Sequence, residues 1–154
     1  ELIYPHQPNP ENTMERKASA QWNGGLKDGN GAISTESGAL AAKQYSFSTR
    51  FENGTGTNPE ELIAAAHAGC FSMAFSAELG KAGMNPASIT TTATVNFEKT
   101  DAGFTLTAIH LETVAKVPGA TKEAFDAAAN AAKVGCPISR VLKAEITLDA
   151  KLEA

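Results

Sequence analysis

Cysteine is scarce in this chain: of 154 residues only Cys70 and Cys136 carry thiols. Two thiols cannot build the disulfide framework of a small secreted domain, and a chain of this length needs no such staple to fold. In a reducing compartment they are inert core residues or they serve redox or metal chemistry. Zinc has no framework here. The set it would need, Cys70, Cys136, His67 and His110, contains no CxxC or HxxxH pair, and only His67 and Cys70 share helical spacing. A GxSxG nucleophile elbow is also missing, which removes that route to serine hydrolysis.

Positive charge is scarce too. Thirteen Lys and Arg stand against seventeen Asp and Glu, for a net charge of -4, and the basic residues form no cluster. That excludes the electrostatic footprint of a nucleic-acid binder. The longest uncharged run, the sixteen residues Leu62–Ala77, is short for a bilayer span and contains His67, Gly69, Ser72 and Ser76. The first thirteen residues are polar, with Pro5, Pro8 and Pro10 and no apolar core of a signal peptide. They read as a disordered extension or a cloning remnant, with Met14 as a natural start. Residues 14–154 are expected to form a single domain, cytoplasmic, with no membrane partner.

What is present is a clear order of elements. Alternation at Ala18, Ala20 and Trp22, a Gly24-Gly25 turn, and Ala32–Thr35 predict two strands. Tyr45–Thr49 alternates as a third and ends in Arg50-Phe51. A long helix starts at Asn58, where an N-cap, Pro59 at the first helical position and Glu61 at N3 coincide, and runs to about Lys81 before Gly83. Strands over Ser88–Lys99 and Phe104–Val117 flank a turn at Thr100–Gly103. Thr121 caps a second helix to about Val134, with Phe125, Ala128, Ala129 and Ala132 on one face. Cys136-Pro137 opens a helical turn, and Glu145–Leu152 is a last strand. The class is α+β, with a largely antiparallel sheet rather than βαβ crossovers.

The first helix carries no charge from Leu62 to Ala77. A helix apolar nearly all round must be covered on most sides, so a dimer packed around it is the economical arrangement. Cys70 lies inside this run, where burial raises a thiol pKa unless a cation comes near. His67, one turn away on the same face, suits a packed ring as well as a catalytic one. Cys136 precedes a proline at the start of a helical turn, where backbone N–H groups favour thiolate; a buried cysteine acting as a weak cap fits equally.

The segments Thr35-Glu-Ser-Gly38, Phe47-Ser-Thr-Arg50-Phe51, Gly56-Thr-Asn-Pro-Glu-Glu-Leu62, Ala65-Ala-His-Ala-Gly-Cys-Phe-Ser-Met73 and Ala132-Lys-Val-Gly-Cys-Pro-Ile-Ser-Arg140, continuing to Asp149, resemble the OsmC/Ohr family of osmotically inducible and organic hydroperoxide resistance proteins. Trp22-Asn-Gly24 and Thr35–Gly38 are closer to the osmotically inducible branch. The resemblance covers Lys17 to the C-terminus. It implies an antiparallel sheet wrapped around two central helices in an intertwined homodimer. It also implies a dithiol-dependent peroxidase that reduces organic hydroperoxides without metal, haem or flavin. On the matching positions Cys70 is the peroxidatic cysteine and Cys136 the resolving one. Arg50 stabilises the thiolate, and Glu60, directly after Pro59, holds Arg50. The implied partners are a hydroperoxide substrate and a dithiol reductant such as a dihydrolipoyl group. The competing expectation is a non-enzymatic redox sensor or stress-inducible binding protein using the same thiol pair.

Overall fold

The computed structural model describes residues 9–153. Residues 1–8, most of the expected extension, lie outside the described residues, while residues 10–12 form a turn closed by Asn12 N–H on the Asn9 carbonyl at 3.0 Å. The chain divides into two compact units, Glu1–Thr57 and Asn58–Ala154.

The first unit is a three-stranded antiparallel sheet of β1 (Ala18–Asn23), β2 (Asn30–Thr35) and β3 (Lys43–Tyr45), in that order, followed by a short helix α1 (Phe47–Phe51). Gly31 on β2 is required by packing. A Cβ there would stand 2.4 Å from the Tyr45 ring and 2.8 Å from Trp22, which lean on each other at 5.4 Å between centroids. Of the strand expected over Tyr45–Thr49, Tyr45 is in β3, but from Phe47 the chain is a helix instead. Ser46 caps it, accepting from Thr49 N–H while the Thr49 hydroxyl accepts from Ser46 N–H. That capping box outweighs the alternating pattern, which is only five residues long. Arg50 therefore sits in a last helical turn.

The second unit contains α2 (Pro59–Lys81), β4 (Ser88–Thr100), β5 (Gly103–Lys116), α3 (Lys122–Gly135), α4 (Pro137–Val141) and β6 (Glu145–Glu153). Asn58 caps α2 as expected, its Oδ1 accepting from Glu61 N–H at 2.8 Å. The helix ends where Gly83 takes a φ of +77°, with Gly83 N–H on Gly80 O at 3.0 Å and Met84 N–H on Leu79 O at 2.9 Å. Its 23 residues, with an 18-residue stretch of mean hydropathy 1.3, would suffice to cross a membrane by length and composition. It is longer than the uncharged run alone predicts, because charged residues extend both ends. Here one side of it is packed: Phe71, Phe75 and Leu79 are fully buried, and Phe75 meets Phe125 of α3 edge-on at 5.2 Å. Each such side chain contributes about 1.5–3 kcal/mol by leaving water.

β4 and β5 form the expected antiparallel hairpin. β6 pairs with β5 in parallel, from Ala108↔Glu145 to Lys116↔Glu153. One βαβ crossover therefore exists, against the expectation. The reason is physical: α3 and α4 must bury Phe125, Ala128, Ala129 and Ala132 on the sheet and α2, and that return carries the chain back to the start of β5. α2 lies on β4 and α3 on β6, so the sheet covers one side of the helix pair.

Candidate active site

A three-residue step places His67 and Cys70 one turn apart on the same side of α2. Cys136 is positioned by its successor. A residue before proline is held out of the helical region, so Pro137 ends α3 at Cys136 and starts α4. Cys136 has φ -56° and ψ 129°; its N–H still closes α3 on Ala132 O at 3.0 Å, and Pro137 occupies the first turn of α4. This junction aims the Cys136 side chain at α2. Its Sγ lies 2.9 Å from Cys70 Sγ, and both thiols are free. Bonded sulfurs stand about 2.0 Å apart, so a small approach would close the pair into a disulfide.

The two sulfurs differ in access and acidity. Cys136 is fully buried, whereas Cys70 is partly exposed. Burial pushes the Cys70 thiol up, and the adjacent Cys136 pushes it further, against a smaller pull downward from the Ile138 N–H. Burial also acts to raise Cys136, but Cys70, the N–H and hydroxyl of Ser139, and the Ile138 N–H together outweigh it and lower the thiol. The Cys136 sulfur forms no well-made cap bond while neutral. The same groups gather around it closely enough to favour its charged form.

His67 is fully buried, and its Nε2 lies 2.7 Å from the Ser139 Oγ on α4. Burial lowers its pKa, so the ring is neutral. Ser139 gave no signal in the sequence reading. Its spacing, three residues after Cys136, sets the two one helical turn apart but is too common to single it out. Ser72, another polar residue of α2, bonds Thr91 Oγ1 at 2.8 Å and thereby reaches Thr113 on β5. His110 stands away from the thiols, on β5, bonded to Thr147 and Asp149 of β6 at 2.6 and 3.1 Å.

Glu60 is buried in the first turn of α2. Ten residues before Cys70, it is about 15 Å from that sulfur along the helix axis, so its carboxylate cannot touch the thiol directly. Arg50 belongs to the first unit, exposed at the end of α1, its guanidinium 5.4 Å from the Phe51 ring centre. The second unit thus brings together Cys70 and Cys136 and adds His67 and Ser139.

A close thiol pair of unequal acidity is the equipment of a redox protein, and comparison with known proteins gives it a family. The OsmC-like protein family profile matches residues 52–151. The chain belongs to the OsmC family. Peroxiredoxin OsmC of Escherichia coli (strain K12) is 55% identical over 142 residues, covering 92% of this chain and 99% of that protein. The Shigella flexneri protein of the same name matches equally. Among solved structures, the organic hydroperoxide resistance protein of Elizabethkingia anophelis has a TM-score of 0.67 at 25% identity, covering 92% of this chain and 98% of that one. The Vibrio cholerae OsmC-like protein VCA0330 has a TM-score of 0.72 at 17% identity, covering 90% and 99%, which shows the shared α+β fold.

Proposed function

We propose that this chain is a thiol-dependent peroxidase that reduces organic hydroperoxides to alcohols in the cytoplasm. The peroxidase class follows from 55% identity, over nearly the whole of both chains, to a protein named a peroxiredoxin. The observation that carries the mechanism is the 2.9 Å approach of two free thiols, one accessible and one buried. Cys70, the accessible one, attacks as thiolate on the distal oxygen of the hydroperoxide. The O–O bond breaks, the alkoxide takes a proton and leaves as alcohol, and Cys70 holds the sulfenic acid. The Cys136 sulfur then displaces the hydroxyl group, which leaves as water with a proton, and a Cys70–Cys136 disulfide forms. A dithiol, for which a dihydrolipoyl group fits, reopens it by two exchanges and becomes a disulfide itself.

Cys70 is raised by burial, so this chemistry needs a cation at the sulfur. Arg50 takes that role, since guanidinium stays charged and offers paired donors to sulfur and peroxide. Glu60 acts through Arg50 by holding it. The chain is a homodimer in this account, with residues 14–154 acting as one domain. The α2 face away from the core, Ala65, Ala66, Gly69, Met73, Ala77 and Gly80, is exposed and free of charge, and Met73 is 78% exposed. A second copy would cover it.

The test is turnover. Purified protein should consume tert-butyl or cumene hydroperoxide in excess over its thiols, faster than hydrogen peroxide, while dihydrolipoamide lasts, and should use thioredoxin less well. Oxidation that stops after one equivalent per thiol pair would make the protein a sensor rather than an enzyme. Sedimentation of the same sample as a monomer at micromolar concentration would remove the dimer.

A further inference from the structure

Two rungs join α2 to the turn after α3. Cys70 meets Cys136 at 2.9 Å, and His67 meets Ser139 at 2.7 Å. Each helix spends three residues between its two rungs, so the second rung fixes the rotation of α4 that aims Cys136 at Cys70. Both members of the second rung are buried.

The direction of the hydrogen bonds follows from an atom that has none. His67 Nδ1 is buried without a hydrogen-bond partner among the described residues. A neutral imidazole carries one N–H. On Nδ1 that donor would be orphaned, at a cost of about 1–3 kcal/mol. On Nε2 it is satisfied by Ser139, and only a lone pair is left bare. His67 Nε2–H therefore donates to Ser139 Oγ, which makes the serine oxygen the acceptor and leaves the serine proton free to turn toward Cys136, one helical turn earlier.

We infer that His67 and Ser139 are positioning residues that support negative charge on Cys136, making Cys136 the sulfur that leaves when a dithiol reopens the disulfide. The inference rests on the Cys70–Cys136 disulfide of the proposed function. The lowered pKa of Cys136 agrees with it: besides burial, the groups that move this thiol are Cys70 on α2 and Ser139 and Ile138 on α4. The nearby charged side chains, Lys133 on α3 and Arg140 on α4, are not among them. The step balances. A reductant thiolate attacks the accessible Cys70 Sγ, the S–S bond breaks, and its electron pair goes to Cys136 Sγ. The mixed disulfide on Cys70 is then opened by the reductant's second thiol, which frees Cys70 and leaves the reductant oxidised by two electrons.

Thiolate absorbance at 240 nm, titrated on the reduced protein, reads the first half of the claim. With Cys70→Ser in every protein compared, so that Cys136 alone titrates, Ser139→Ala and His67→Phe should raise the Cys136 midpoint by about one pH unit, as for the loss of one hydrogen bond to a charged group. Ser139→Thr and His67→Gln, which keep a donor, should restore it. The second half needs no variant. Wild-type protein oxidised with diamide and opened with 2-mercaptoethanol should carry the adduct on Cys70 by peptide mass mapping. Reopening by dithiothreitol should slow about threefold in Ser139→Ala, because a more basic thiolate leaves less readily. Midpoints in folded Ser139→Ala and His67→Phe equal to that of the protein with both residues intact, or an adduct on Cys136, would overturn the inference. No peroxide enters these measurements, so a protein that failed to turn over hydroperoxide would sink the proposed function and leave them standing.

Discussion

The surroundings of the two thiols differ in what the backbone can give. Cys70 sits in the interior of a 23-residue helix, where each nearby N–H already serves the i to i-4 ladder. Cys136 sits between two helices, where its sulfur makes no cap hydrogen bond, but Cys70, Ser139 and the Ile138 N–H pull its pKa down against burial. Acidity is thus local at Cys136 and, in the proposed mechanism, is imported at Cys70 by Arg50. Access runs the other way, since Cys70 is partly exposed and Cys136 is buried. In the proposed mechanism the accessible sulfur would meet substrate and reductant, and the acidic one would close the disulfide and leave when it reopens.

The largest effects come from exchanging the partners of that comparison one at a time. Cys70→Ser should abolish hydroperoxide reduction even in a single turnover, because a hydroxyl is far too weak an acid to replace a thiolate. Cys136→Ser should keep the first oxidation and stop at sulfenic acid. Under excess peroxide it should then gain two further oxygens and become trapped as sulfonic acid. Wild type treated in the same way should lose two hydrogens and recover with dithiol. Intact-mass spectrometry separates these outcomes. Hydroperoxide consumption by Cys70→Ser, or an unoxidised Cys70 in Cys136→Ser, would reverse the assigned roles.

A smaller but still large effect should follow from removing the imported charge. Arg50→Ala should raise the Cys70 pKa and slow its oxidation near neutral pH about ten- to a hundredfold, the loss expected for one charge-assisted interaction. Arg50→Lys should recover little of it, since an ammonium cannot pair in two places at once. Alkylation rate against pH reports the acidity and stopped-flow peroxide consumption reports the rate. Identical profiles in all three proteins would leave Cys70 without its cation.

Much of this was legible before any coordinates. The caps at Asn58 and Thr121, the Gly83 stop and the apolar face of α3 gave the helices, because each is a local signal with a local cause. The short alternating stretch before Arg50 misled, since a five-residue pattern is weaker than the Ser46/Thr49 capping box hidden within it. The parallel β5–β6 pairing was out of reach, because strand direction depends on where α3 and α4 must pack rather than on the composition of β6. Motif resemblance pointed to the two cysteines, but not to Ser139. A serine one turn past a cysteine is unremarkable until the helix carrying His67 is seen beside it.

The smallest effect isolates the histidine that distinguishes the two rungs. An unburied histidine titrates near pH 6.5. In the folded protein burial lowers the pKa of His67, and unfolding exposes the ring and restores the ordinary value. Between the lowered value and about 6.5 the unfolded chain therefore binds a proton that the folded chain does not. Stability rises with pH across that window and is lost as pH falls through it. His67→Gln removes the titration while keeping a donor for Ser139. The drop in Tm between pH 7.5 and 5.5 should thus be smaller in His67→Gln than in wild type, even if the variant is less stable at both. Thermal melts followed by circular dichroism, with the thiols kept reduced, give the comparison. Parallel curves for the two proteins would mean that His67 takes up its proton as readily in the folded state as in the unfolded one, so burial would not be what keeps the ring the neutral donor on which the hydrogen-bond direction depends.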